Sequence, residues 1–156
     1  MGLIELKTST NLTSDVERFN TLKVVEGNLT ITGSKIKSLG TLEAVGGNCD
    51  IGEIETLASL QYVGKNLRIF FAKSLGNLRE VGNNCDFRYL DLKSASNLKK
   101  VGGILDLRNS EMYSFPNLEV VGKNIKINKG QPLHIPKMIV ANSSPTVLFA
   151  VKRPEN

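Results

Sequence analysis

Arg68, Phe70, Phe71, Arg88, Tyr89 and Arg108 recur at a spacing that could gather guanidinium groups and aromatic rings on one surface. Such groups anchor many protein interfaces, and together they also suit bases or small anions. Asp50, Asp86 and Asp106 are interspersed with them. Carboxylates in a row on one strand face could do acid–base chemistry. The order Asp50, Arg68, Asp86 alternates in sign, however, which is the pattern of solvated cross-strand pairs. The single histidine, His134, stands between Leu133 and Ile135, and no motif places a Ser or Cys nucleophile beside it. It reads as a structural histidine. One His and two Cys cannot close a zinc site. No phosphate loop, dinucleotide fingerprint or paired-carboxylate motif occurs. The expectation is therefore no catalytic residue, no metal, no cofactor and no enzyme.

What must position these residues is a repeat. The stretch Leu42–Ile51 (LEAVGGNCDI) has a skeleton, Leu-x-x-Val-Gly-x-Asn-x-x-Ile, that returns at Leu60–Ile69, Leu78–Phe87 and Leu118–Ile127. Worn copies are Leu22–Ile31 and Leu98–Leu107. The marker valines Val25, Val45, Val63, Val81, Val101 and Val121 are 20, 18, 18, 20 and 20 residues apart. A sustained period of this size marks a solenoid.

Apolar residues at three, six and nine positions before each valine, such as Leu42, Leu39 and Ile36, suit a tight or irregular run rather than an α-helix. Pairs four and six positions after it, such as Leu67 and Ile69, alternate like a short half-buried strand. Each coil is then one strand and one return path, with equivalent strands side by side in a parallel sheet. Gly46, Gly64, Gly82, Gly102 and Gly122 follow their valines, where a turn wants positive φ or close backbone approach, and Glu26 breaks the rule. Asn28, Asn48, Asn66, Asn84 and Asn124 form a column of stackable amides, which Ile104 interrupts as a local defect.

The Leu-x-x-Leu-x-x-Val-Gly-Gly-Asn-x-x-Ile pattern resembles leucine-rich repeats, and most of all the receptor L-domain. It is also similar to short solenoids of the same motif encoded by bacteria and phages. The resemblance covers residues 16–128 and implies a mainly β, single-domain, right-handed parallel β-solenoid of 18–20 residues per coil. Receptor L-domains are secreted and disulfide-tied, whereas this chain has two cysteines, so hormone binding is not implied.

The ends depart from the rhythm. Residues 1–21 read as an N-terminal cap: Leu3–Leu6 as a partial first rung, and a short helix opened by Ser14. Residues 22–128 are a six-coil solenoid, and 129–156 a C-terminal cap and tail. There the segment Lys129–Pro136 reads as an irregular linker whose two prolines forbid pairing. Met138–Ala141 and Thr146–Val151 flank a turn and read as a closing hairpin or two strands.

At 156 residues with 40% hydrophobic content the chain can bury a core. A net charge of +5 favours anionic partners only weakly. No signal peptide or membrane span is read, so a cytoplasmic place is expected, or a virion if a phage encodes the chain. The leading functional expectation is a recognition module that binds a protein through its outward sheet face, with no membrane partner. The alternatives are a structural or assembly protein that self-associates through the C-terminal segment, and binding of nucleic acid or an anionic nucleotide through Arg68, Arg88 and Arg108.

Overall fold

A computed structural model describes residues 4–6, 10–12, 21–33, 35–138 and 146–150, the three outlying segments as backbone course. It is a parallel β-solenoid. No helix occurs among the described residues. The helix expected from Ser14 falls on residues 13–20, which lie outside them.

Each coil carries two short strands, one more than the sequence pattern suggested. The marker valine itself belongs to the first, in a seven-stranded sheet of β1 (Ile4–Leu6), β3 (Leu22–Val25), β5 (Ala44–Val45), β7 (Tyr62–Val63), β9 (Glu80–Val81), β11 (Lys100–Val101) and β13 (Val120–Val121). The expected strand is the second. It builds an eight-stranded sheet of β2 (Thr10–Leu12), β4 (Leu29–Ile31), β6 (Cys49–Thr56), β8 (Leu67–Ser74), β10 (Cys85–Asp86), β12 (Leu105–Asp106), β14 (Asn124–Asn128) and β15 (Thr146–Ala150). Along the return path, isolated parallel bridges Ser38–Thr56, Ser94–Ser114 and Ser114–His134 add a third ladder.

The core lies inside the coil. Leu67 and Ile69 are 1% exposed, and the residues three and six before the next valine, Leu78 and Leu75, 2% and 7%. The return path is irregular, as its spacing of three predicts, with one turn per coil in which Leu42, Leu60, Leu78 and Leu118 donate to the carbonyl three residues earlier.

Coil length has a local cause. In the two 18-residue coils β6 and β8 run eight residues without a break. In the longer coils the strand stops early and the chain turns through left-handed backbone, at Gly33 (φ 79), Tyr89 (φ 75) and Asn109 (φ 63). That turn carries Leu90 into the core at 0% exposure and leaves Leu92, expected there, only partly buried.

The C-terminal expectations need one correction. Residues 129–138 are not an unpaired linker: Pro132, Ile135 and Met138 stand 20 residues after Met112, Phe115 and Leu118, and Ile135 and Met138 pack against the core. His134 N–H donates to the Tyr113 carbonyl at 2.6 Å, and Phe115 N–H to the His134 carbonyl at 2.9 Å. The prolines flank this bridge instead of blocking it, and Pro136 repeats Pro116. At the far end Thr146–Ala150 is a strand, as expected, while residues 139–145, which would carry the other half of a hairpin, lie outside the described ones. All five residues of β15 pair in parallel with β14, Asn124↔Thr146 through Asn128↔Ala150. β15 thus adds one more parallel rung to the eight-stranded sheet. Met138 itself lies in a turn, and residues 139–141 lie outside the described ones.

Candidate functional site

The backbone that carries the outward face is held by two columns at the corner between the sheets. A methyl group on Gly64, Gly82, Gly102 or Gly122 would fall on the carbonyl oxygen of the glycine one coil before, and on Gly46 it would fall on that of Glu26. Close approach, not positive φ, is therefore what these glycines provide. Beside them the asparagines bond mainly from side chain to backbone. The N–H groups of Asn48, Asn66, Asn84 and Ile104 donate to Oδ1 of Asn28, Asn48, Asn66 and Asn84 at 2.7, 3.1, 3.0 and 2.9 Å. Ile104 donates its backbone N–H to this column but has no side-chain carbonyl to accept from the next coil.

On that frame the register Thr30↔Asp50↔Arg68↔Asp86↔Asp106↔Lys126 forms one outward column. Arg68 grips Asp50 on the rung before, with Nε 3.1 Å from Oδ1 and a second bond from Nη2 to Oδ2. Arg88 and Arg108 behave otherwise. Each holds the carboxylate two residues earlier on its own coil: Arg88 on Asp86 at 3.0 and 2.9 Å, Arg108 on Asp106 at 2.9 and 2.7 Å. The same carboxylates accept the backbone N–H of Arg88 and Arg108 at 3.1 and 3.2 Å, closing two like turns. Arg88 also lies 3.9 Å from Asp106.

Asp106 is only 9% exposed. Burial pushes its carboxyl up, but the Arg108 side chain and amide and the Arg88 charge outweigh that and hold it below the ordinary value. Hydrogen bonds and charge from the paired aspartates raise all three guanidinium pKa values further, so the three arginines stay charged.

The aromatic half of the site assembles beside them. Phe70 and Tyr89 are 46% and 54% exposed, and their rings stack with centroids 6.5 Å apart and planes inclined by 6°. The Arg68 guanidinium carbon lies 5.4 Å from the Phe70 centroid and that of Arg88 5.9 Å from Tyr89. Phe71 is half-buried within β8, in register with Glu53. Arg108 is joined to this group through the carboxylate of Asp106, not through a ring. A shallow groove of ≈ 320 Å³ runs alongside, lined by Asn48, Asn66, Asn84, Asp50, Arg68 and Asp86.

Sequence reasoning placed these side chains outward but missed the left-handed backbone of Tyr89. The available signal was the matched pair Asp86-Phe-Arg-Tyr89 and Asp106-Leu-Arg-Asn109. His134 also differs from expectation: its backbone is structural, while its side chain is exposed.

Among the described residues no cluster of three or more His, Cys, Asp or Glu is arranged to hold a metal, and no helix is long and apolar enough to cross a membrane. The fold defines a parallel β-solenoid repeat protein. Compared with protein-family models, curated proteins and solved structures, the chain matches none.

Proposed function

We propose that this chain is a non-enzymatic recognition module of the leucine-rich-repeat, receptor L-domain type, binding a protein partner through the outward face of its eight-stranded sheet. The observation that carries the reading is the exposed Phe70–Tyr89 stack, flanked by Arg68 and Arg88, on a hydrogen-bonded and therefore preorganised frame. Preorganised aromatic and arginine side chains dominate interface energies because little entropy remains to be lost on binding.

Nucleic acid or an anionic nucleotide is the weaker reading, since Arg68, Arg88 and Arg108 each already hold a carboxylate. A polyanion would have to displace Asp50, Asp86 and Asp106 before it gained those charges. Assembly of the rod with itself is favoured by one feature: β15, with the apolar sequence Thr-Val-Leu-Phe-Ala, is the outermost strand described in its sheet. A dimer in sedimentation that is lost with Leu148→Lys would support that reading. Two buried free thiols suit a reducing compartment, so we place the protein in the cytoplasm or in a particle assembled there.

The test is a paired substitution. Phe70→Ala with Arg68→Ala removes one ring and an exposed guanidinium, and should abolish binding of a partner captured from the native cell. Its Tm should stay within about 3 °C of the parent, because exposed positions contribute little to folding. Lys99→Ala with Lys100→Ala, on the return path and the seven-stranded sheet, should leave binding intact. The reverse pattern would move the working surface off the eight-stranded sheet.

A further inference from the structure

Three coils leave the eight-stranded sheet through left-handed backbone at the same repeat position, a fourth doing so one residue later at Gly130 (φ 82), and the side chains at the shared position differ. Two are Gly33 and Asn109, residue types that accept such backbone readily. The third is Tyr89 at φ 75, an aromatic residue for which the conformation is strained. The turns at Tyr89 and Asn109 are otherwise alike, each closed by an aspartate that binds the amide and guanidinium of the arginine two residues later. Nothing in the turn itself calls for a ring. The ring does not serve the core either, being 54% exposed. What it does is lie parallel to Phe70 on the neighbouring coil and beneath Arg88.

The surroundings also limit what such a platform accepts. Every guanidinium at the site is held by a carboxylate, so a charged ligand gains no unpaired counter-charge there. The open faces are apolar rings framed by satisfied ion pairs.

We propose that Tyr89 is the anchor residue of the recognition face, and that the Phe70–Tyr89 platform takes an uncharged segment of a partner protein bearing aromatic or aliphatic side chains. This rests on the reading of that face as a protein-binding surface. The chain thereby keeps backbone strain at its binding site, and relieving the strain should separate stability from recognition.

The probe is a displayed random-peptide library selected on the intact protein, with affinities of the recovered peptides measured by fluorescence polarisation. Uncharged peptides rich in aromatic and aliphatic residues should be enriched. Their affinity should change by no more than about twofold between low and high salt. Tyr89→Asn, which copies the turn at Asn109, should raise Tm by roughly 2–6 °C while weakening these peptides at least about tenfold. The rise should be larger in a Phe70→Ala background, where no ring stack is lost.

Enrichment of acidic peptides with steep salt dependence would overturn the uncharged epitope. A fall in Tm on Tyr89→Asn in both backgrounds would overturn the strain argument. Undiminished binding by Tyr89→Asn, with loss in the Phe70→Ala/Arg68→Ala pair, would remove Tyr89 as anchor and leave the recognition face standing. Failure of the parent protein to enrich any peptide would overturn both.

Discussion

Cys49 and Cys85 occupy the same inward column with Leu67 on the rung between them, and both are buried free thiols. Two rungs separate their Cα atoms by about 9–10 Å, beyond the roughly 7 Å a disulfide spans. Burial, with a smaller contribution from the Asp50 charge, pushes the Cys49 thiol from 9.0 up to about 12, and burial and Asp86 raise Cys85 likewise. A thiol reagent should therefore find nothing in the native protein at pH 8 and two thiols once it is unfolded without reductant; one disulfide instead would refute the register. The linkage has a definite sign. Since the folded pKa lies above the unfolded one, this stability is complete below pH 9 and falls as pH rises toward 12. Replacing both cysteines by Ala should flatten part of that alkaline loss in Tm. Asp106 runs the opposite way: its lowered pKa contributes stability that is complete above the ordinary carboxyl value and is lost as pH falls from there through the lowered one. Asp106→Asn should cost about 1–3 kcal/mol by denaturant unfolding, because it weakens the hold on Arg108 and Arg88 at a 9% exposed site. At this scale the sequence was legible wherever strand alternation alone sets direction, as at Cys49, Leu67 and Arg68. It was silent on Tyr89, because propensity argues against an aromatic residue at positive φ and only comparison with Asn109 reveals the turn.

Between residue and fold stands the rung, and its two kinds of glycine distinguish two mechanisms. Gly82 lies against the Gly64 carbonyl, so Gly82→Ala forces neighbouring coils apart. At Gly33 a side chain would meet open space, and only its φ of 79 penalises substitution. Gly33→Ala should thus cost about 1 kcal/mol, from the left-handed backbone alone, and Gly82→Ala distinctly more. Equal midpoints in urea would show that close approach is not what the column provides. The inward and outward sides of one strand give a sharper contrast. Leu67→Asp buries an unpaired carboxylate at a 1% exposed position and should prevent folding, while Arg68→Asp on the next residue should still fold. The strands of the eight-stranded sheet and the return paths could be read from apolar periodicity, since most buried positions recur one coil later; Leu90, carried inward by its turn, breaks that recurrence. The last return path was not, because Pro132 and Ala141 hide its apolar rhythm and prolines argue against pairing. In the coil the paired residue is His134, between the prolines, so their missing donors are not needed.

For the whole molecule, the decisive property is that each rung touches only its neighbours. The most extensive rung-to-rung pairing joins β6 and β8, in register from Cys49↔Leu67 to Thr56↔Ser74, whereas β10 and β12 share two residue pairs. Stability in such an array is a sum of rung and interface terms, so it should be graded along the axis. A rung with two well-paired neighbours opens only when both interfaces break, while β1, β2, β13 and β15 each have one described neighbour in their sheet. Native-state hydrogen exchange should accordingly find the slowest amides at Leu67 and Ile69, whose side chains are also 1% exposed. Exchange should quicken toward both ends, and protection near Asn124 should be weaker than near Asn66, since Ile104 cannot extend the side-chain bonds that run from Asn28 to Asn84. An Ile104→Asn substitution should narrow that difference by restoring an acceptor for the Asn124 amide. If protection were instead uniform from β4 to β14, the solenoid would unfold as one cooperative unit. The outward face would then owe its rigidity to the whole stack and not to the well-paired rungs at Asp50 and Arg68.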